Sequence, residues 1–365
     1  MDLYRKFLIL FIIIIASYIL YNLLKTRSAL INKTFDIQKE GFGFGMSTAE
    51  SEVKSITISS GAGVSNFDTK KSNLAISEYV IKSSYNSAFT GSYVSLDAIK
   101  YVLSRGCRFL DFELILIDGG VYVAQSNDPQ NMSINSQNHL TLDDVLACVS
   151  IYGFTAPSPN PMDPLFIQLR IKTDTPEIYK DTALSIDKNL INKLYGTPEK
   201  RKLIPSTLIG DLMGKVVLII DKIVSPNYNS FPICTTTDTT CYNLDNYANM
   251  IAGSESLRTY KINNLLEQHT RPYNVDDNNI TTDTIKMQIA IPDIDTVNLN
   301  NPDIIPLIKN YGVQITGYRF YKNDSNLTNY ELLFSGNNSA FVSLAAVFHI
   351  ITTQSADRSL ELLNP

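Results

Sequence analysis

Asp111 and Glu113, two residues apart in "RFLDFELILI", are the pair in this chain best placed to do chemistry. Side chains alternate faces along a strand, so both carboxylates point the same way. Such a pair can hold a metal ion or carry general acid–base work. It is equally an ordinary solvated strand face, or one side of an ion pair with Arg108 or Arg170. A base to work beside the acids is scarce. His139, in the polar stretch "QNMSINSQNHL", is the one candidate; its plain reading is a loop histidine close to a helix start. His269 in "EQHTRP" and His349 in "VFHII" have no motif around them. Cysteines at 107, 148, 234 and 241 show neither CxxC spacing nor a nearby histidine cluster, which argues against zinc. Cys234 and Cys241, in "CTTTDTTC", pair in an oxidising compartment or stay free thiols.

The elements around these residues alternate. "AISEYVIKSS" reads as a strand, and "VSLDAIKYVLSRG" as a helix stopped by Gly106. "RFLDFELILI" and "GVYVAQS" are strands joined at Asp118-Gly119-Gly120, and "LTLDDVLACVSIYG" is a helix. "PLFIQLRIK", the helical "TPEIYKDTALSIDKNLINKLYG" and the apolar strand "GKVVLIIDKI" follow. Strands separated by helices predict a parallel sheet. Beyond residue 223 the pattern weakens: the chain is loop-rich to about 285, with one helix expected in "LDNYANMIAGSESLRTYKINNLLEQ", and "IKMQIAIPD", "GVQITGYRF" and "AFVSLAAVFHII" read as strands. The span 76–350 suits a closed barrel.

Net charge is −5 and no block of Lys and Arg forms a patch, so nucleic acid is not an expected partner. The run "FLILFIIIIASYILYNLL", residues 7–24, carries no charge. At about 1.5 Å per residue it nearly crosses a hydrocarbon core of about 30 Å, and it exceeds the ~7–15 apolar residues of a signal peptide. An uncleaved single-pass anchor is expected within residues 1–30, making the membrane a partner. Arg5 and Lys6 on one side balance Lys25 and Arg27 on the other, which leaves the orientation open. A flexible Gly/Ser-rich tether is expected over 31–75 and a C-terminal tail over 351–365.

Several segments, taken in order, resemble the catalytic barrel of phosphoinositide-specific phospholipase C. "SSYNSAFTG" is similar to that family's SSHNTYLTG, "LSRGCRFLDFEL" to LxRGCRxxELD, and "LDDVLACVSIYGF" to FxDVLxAIxxYAF. "DPLFIQLRIK" resembles PVILSLENH, and "LIPSTLIGDLMGKVVLIIDK" resembles LPSPExLKGKxLVKxKK. Near the end, "YGVQITGYRF" and "LLFSGNNSAFV" resemble GCQxVALNxQ and FxxNGxCGYVLKP. The resemblance implies an α/β fold: a TIM-type (β/α)8 barrel of the PLC-like phosphodiesterase architecture, here preceded by one transmembrane helix. Its X-like half would span 76–222, a variable connection 223–285 and a Y-like half 286–350. The site would lie at the C-terminal ends of the strands.

In that family one histidine takes the proton of the inositol 2-hydroxyl and a second assists the leaving group. Calcium held by Asn, Glu, Asp and Glu lowers the hydroxyl pKa. The resemblance places the first histidine on Tyr85, whose plain reading is core packing, and the second on Ser126. It keeps the calcium ligand Asn86, puts the two acids on Asp111 and Glu113 with their lengths exchanged, and puts the last Glu on Arg170. Lysines that grip inositol phosphates fall on Ile219 and Asp221, and a Ser-Arg pair on Gln288 and Ile289. "DFELILIDGGVYVAQSND" also resembles glycerophosphodiester phosphodiesterases, whose histidine again falls on Ser126. Neither a tyrosine nor a serine replaces an imidazole near neutral pH. A cation at 170 opposes a calcium site that wants about 6–8 oxygens. The expectation is a membrane-anchored phospholipase C-like protein that has lost the activity, with a phospholipid head group, glycan or protein as partner and no cofactor. The alternative is a working metal-dependent phospholipase C or glycerophosphodiesterase-like enzyme, with calcium on Asn86, Asp111 and Glu113 and His139 as a relocated base.

Overall fold

The computed structural model describes residues 48–363, apart from 59, 128–132, 198–199, 231–241, 268–285 and 294–299. The apolar run 7–24, the Cys234–Cys241 pair and His269 lie outside the described residues. Among the described residues no helix is long and apolar enough to cross a membrane.

The first half runs α1 (Ala49–Ile56), β1 (Tyr79–Ile81), α2 (Leu96–Ser104), β2 (Phe109–Ile117), β3 (Gly120–Val123), β4 (Leu140–Thr141), α3 (Leu142–Tyr152), β5 (Leu165–Ile171), α4 (Pro176–Leu190) and β6 (Val216–Asp221). The second adds β7 (Met250–Ala252), β8 (Leu257–Lys261), α5 (Ile262–Glu267), β9 (Met287–Ile291), α6 (Ile304–Tyr311), β10 (Ile315–Thr316), α7 (Ser325–Ser335), β11 (Phe341–Ser343) and α8 (Leu344–Leu363).

Parallel pairing links β2 to β5, β6 and β7 in one arc, and β8 to β9, β10 and β1 in another. A parallel bridge from Ser83 to Phe109 joins the arcs on one side. On the other, β7 and β8 meet at a turn where the Gly253 N–H donates to the Leu257 carbonyl. The result is an α/β barrel. The β3–β4 ribbon extends β2 antiparallel, and β11 pairs antiparallel with β1. The β2–β3 turn has Asp118 and Gly119 at φ +48 and +81, the left-handed pair of a tight hairpin.

Period-2 alternation divides each strand between lumen and helix layer. Phe109, Phe166, Val217, Ile219, Met250, Met287, Ile289 and Ile315 pack inside the barrel. Leu110, Phe112, Leu114, Ile167, Leu169, Leu218 and Ile220 face outward, against helices that bring Ile99, Val145, Val149 and Ile178. Asp111 and Glu113 alternate with the outward set, so they share the lumen face with Phe109; Gln168 and Arg170 share it with Phe166. Gly106 stops α2 as expected, at φ +78, where a Cβ would stand 2.2 Å from Val64 Cγ2.

Several expectations need correction. The barrel unit starts before residue 76, because residues 48–75, expected as part of a loose tether, pack on it. Thr48 and Ser51 form a reciprocal cap on α1, and Glu52 Oε2 accepts from Thr90 Oγ1 (2.5 Å) and the Ser92 N–H (3.0 Å). Phe67 is buried edge-on to Tyr79 and Phe341, with its N–H on Asp163. The loop-rich stretch "LDNYANMIAGSESLRTYKINNLLEQ", in which one helix is expected, holds the short α5 but also supplies β7 and β8. Gly253, at φ +83, turns the chain between them, and the Asn249 side chain holds β7 to β6 by accepting from the Leu218 N–H at 2.7 Å. In "AFVSLAAVFHII" only Phe341–Ser343 is strand; the Ser343 hydroxyl then accepts from the Ala346 N–H and starts α8, which runs through the expected tail.

Candidate functional site

The loop after β1 reaches the mouth of the barrel pinned by its backbone. The Tyr85 N–H donates to the Tyr318 carbonyl, Ser87 N–H to the Asp111 carbonyl, and Asp111 N–H to Ser87 Oγ. Asn86 sits at φ +43, a region asparagine tolerates better than most residues, and its N–H donates to Asp111 Oδ2 at 3.0 Å. This places Asn86, Asp111 and Glu113 together, with Glu113 in register with Arg170 on β5.

Arg170 then takes the centre. Its Nε donates to Asp111 Oδ1 (2.8 Å), one terminal nitrogen to Glu113 Oε1 (2.7 Å), and the other to both Asp111 Oδ2 (2.7 Å) and Asn86 Oδ1 (2.6 Å). Its side chain is 3% exposed, that of Asp111 0% and that of Glu113 3%. At such burial the charges need these partners, and charge-assisted bonds to a forked donor are the strong kind. Lys172 Nζ adds a contact to Glu113 Oε1 at 3.2 Å and donates to the Ser126 carbonyl. The Tyr85 ring lies over the guanidinium, 4.6 Å from ring centre to Cζ. Burial works to lower the Arg170 pKa, but Asp111, Tyr85 and Glu113 outweigh it and hold the group well above its usual value. Burial raises the Tyr85 hydroxyl pKa further, against the pull of Arg170.

Of the two ion pairs open to the acids, Arg170 makes them and Arg108 does not. The Arg108 guanidinium binds the Gly153 carbonyl (2.8 Å) and Asn160 Oδ1 (2.9 Å) instead. Ser126 joins the cluster by its backbone, donating N–H to Glu113 Oε2 at 2.9 Å, while its hydroxyl turns to the Ser133 carbonyl at 2.5 Å. His139 stays outside: it is exposed, with its ring edge-on to Tyr122 at 4.5 Å. His349 is exposed on α8. Ile219 and Ile289 line the lumen as apolar packing. Gln288 faces the other way, its amide nitrogen on the Tyr311 carbonyl.

Asp221 and Lys261 complete the polar rim, both on the inward face of their strands. Lys172 was legible as the residue two beyond Arg170 on one strand; Lys261 was not, because its segment reads as a helix. Burial raises the Asp221 pKa, opposed by the Ile223 N–H and Arg170. A carboxyl raised in the fold binds more protons there than in the unfolded chain. Its contribution is full below the ordinary value of about 4 and is lost as pH rises through the folded pKa. Asp221→Asn is therefore expected to flatten the decline of stability above about pH 4, read from urea unfolding at stepped pH. An unchanged slope would mean that Asp221 titrates alike in both states.

A calcium ion does not fit this arrangement. The oxygens of Asn86, Asp111 and Glu113 that would face it accept N–H bonds from Arg170, and no cluster of three His, Cys, Asp or Glu side chains that could hold a metal occurs among the described residues.

Residues 72–222 match the family model "Phosphatidylinositol-specific phospholipase C, X domain". Over that span the chain resembles a divergent phospholipase C X domain. The same fold appears in the solved structure of PLC21 from L. pealei, at 15% identity and TM-score 0.56, covering 86% of this chain and 43% of that one. PLC21 from S. officinalis is similar at 14% identity and TM-score 0.56, with the same coverage. The chain thus spans less than half the length of these relatives. No curated protein matches it by sequence. The matched span carries Tyr85, Asn86, Asp111, Glu113, Ser126 and Arg170.

Proposed function

We propose that this chain is a membrane-anchored phospholipase C-like barrel that recognises a head group or a protein without hydrolysing phosphodiesters. The observation that carries the reading is Arg170, whose guanidinium bonds to the side-chain oxygens of Asn86, Asp111 and Glu113. A covalently tethered cation there competes with any free one, and it cannot be removed by a chelator. Proton transfer is equally unsupplied: Tyr85 is packed on Arg170 and the Ser126 hydroxyl donates to a backbone carbonyl. The working-enzyme alternative, with calcium, needs His139 as base, and that ring is exposed against Tyr122. The anchor is read from the uncharged run 7–24, and retention of the chain in membranes through alkaline carbonate washing is the expected result.

The activity test uses the full chain in detergent micelles, given phosphatidylinositol vesicles with calcium or with chelator. No release of inositol phosphate above background is expected in either. Calcium-dependent turnover that His139→Ala abolishes would overturn the reading and make His139 the base.

A further inference from the structure

The end of the barrel away from Arg170 carries an apolar patch. Residues 68–78 lead into β1 and residues 200–215 into β6, so both segments lie at the N-terminal ends of the strands. They are stitched together. Ala75 and Leu208 form an antiparallel bridge, Ile76 N–H donates to the Thr207 carbonyl at 2.9 Å, and Ile209 N–H donates to the Leu74 carbonyl at 3.1 Å. Gly210 N–H adds a bond to the Ser72 carbonyl at 3.1 Å. Ile204 heads a turn that Thr207 N–H closes onto its carbonyl at 2.9 Å. Leu74, Ile204 and Leu208 are thus close together on the surface, 37%, 61% and 41% exposed.

Single exposed apolar residues are ordinary, whereas a group of them set among charges marks an interaction surface. Here the charges are mainly lysines. Lys70 and Lys71 precede Leu74, Lys200 and Lys202 precede Ile204, and Lys215 leads into β6, all exposed. Among the described residues only Lys202 of these is in an ion pair, with Asp245 at 2.7 Å. Asp68, Glu78 and Asp211 stand alongside, the first two turned to backbone N–H groups. A lysine stem lies along apolar surface while its ammonium reaches outward, a combination that suits a lipid interface. The mouth has exposed apolar residues too, Ile223 at 61% among them, but the opposite balance of charge. Past the C-terminal strand ends, Asp118, Asp174, Glu267, Asp293 and Asp324 outnumber Lys222, Lys261 and Lys322.

We infer that the base of the barrel docks on an anionic bilayer surface, with Leu74, Ile204 and Leu208 entering the head-group layer and the lysines meeting lipid charges. This rests on the reading of a membrane-anchored chain, which keeps a bilayer within reach. Residues 25–47, between the apolar run and the described barrel, extend to at most about 80 Å. β2, with nine residues, rises only about 30 Å, so that link lets either end face the bilayer and charge decides. The mouth then points away from the membrane, and what it recognises comes from solution.

The chain contains no tryptophan, so one introduced tryptophan reports on one place. Ile204→Trp reads the base and Ile223→Trp, at an equally exposed position, reads the mouth. Each full-length variant is placed in nanodiscs of phosphatidylserine and phosphatidylcholine with brominated acyl chains, which quench indole on contact. Ile204→Trp is expected to shift to the blue and lose most of its emission, and Ile223→Trp to keep both. Lys70→Gln and Lys71→Gln, added to Ile204→Trp, are expected to lower the docked-to-free ratio about fivefold each. Discs of brominated phosphatidylcholine alone are expected to leave Ile204→Trp largely unquenched. Unfolding curves verify each fold, and Leu208→Trp replaces Ile204→Trp if that substitution unfolds the barrel. The inference is overturned if the base tryptophan of a folded chain stays unquenched, as it would beneath a second copy or another protein segment. Quenching of Ile223→Trp in its place, or equal quenching by neutral lipid, would overturn it too. Failure of the chain to co-elute with the discs would instead remove the anchor; brominated phosphatidylserine vesicles added to that free chain then read the base by the same loss of emission.

Discussion

Arg170→Met is expected to lower the unfolding free energy by about 3–5 kcal/mol, the usual cost of removing one partner from a buried charge cluster. The methionine fills much of the space, so lost packing is a minor part of that figure. What remains is two carboxylates, Asp111 and Glu113, with side chains 0% and 3% exposed, left to Lys172, a backbone N–H on each and little solvent. The effect is then a charge effect, and it has a signature. Neutralising the acids as well, in the triple variant Asp111→Asn, Glu113→Gln, Arg170→Met, is expected to recover more than half of the loss, since an uncharged replacement of a whole buried cluster is often close to neutral. Urea unfolding of the full chain in micelles measures both. A single variant within about 1 kcal/mol of the native protein, the range of an exposed pair, would show that the cluster is solvated and that Arg170 is dispensable.

Arg170→Glu is the second large effect, and it runs through calcium. The substitution removes the tethered cation and puts a third carboxylate beside Asp111, Glu113 and the Asn86 amide oxygen. Without metal the variant is expected to be less stable than Arg170→Met, because like charges are then buried together. With calcium, oxygen ligands of this kind and number become a partial coordination shell, to be completed by water. Stabilisation follows mass action: at a free calcium level about 100 times the dissociation constant it reaches about 2.7 kcal/mol. The native chain is expected to show no calcium-dependent shift at all. Thermal unfolding of both proteins with calcium and with chelator reads the difference. A folded Arg170→Glu variant indifferent to calcium would mean that the oxygens are not placed to meet around an ion, and that Arg170 does more than fill its position.

Much of the site was legible before any fold was known. In "RFLDFELILI" and "PLFIQLRIK" the strand period puts Asp111, Glu113 and Arg170 on one face each, and all three fall within the span 72–222 that matches the family model. The barrel strands read from the sequence are β1, β2, β5, β6, β9 and β10, whose apolar pattern is local. Those missed are β7, with three residues, and the partly polar β8, "LRTYK". Neither has the apolar alternation of a strand; each is held by pairing to β6 or β9, partners distant in sequence, and β propensity is set by such context. Residues 48–75 looked like tether because Gly, Ser and other polar residues are frequent there. Phe67 and Glu52 are single residues, and what fixes them is where Tyr79, Phe341, Thr90 and Ser92 stand.

By itself the sequence determined the alternation of strands and helices and the shared face of the acids on β2 and of the arginine on β5, because alternation and residue type are properties of the chain alone. Tertiary structure alone decided that Arg170, rather than Arg108, reaches the acids, and that it does so with all three nitrogens. Those depend on strand register and on which layer of the lumen each side chain occupies. A sequence carries the direction of a side chain, but its neighbours across the barrel are chosen only when the strands pair.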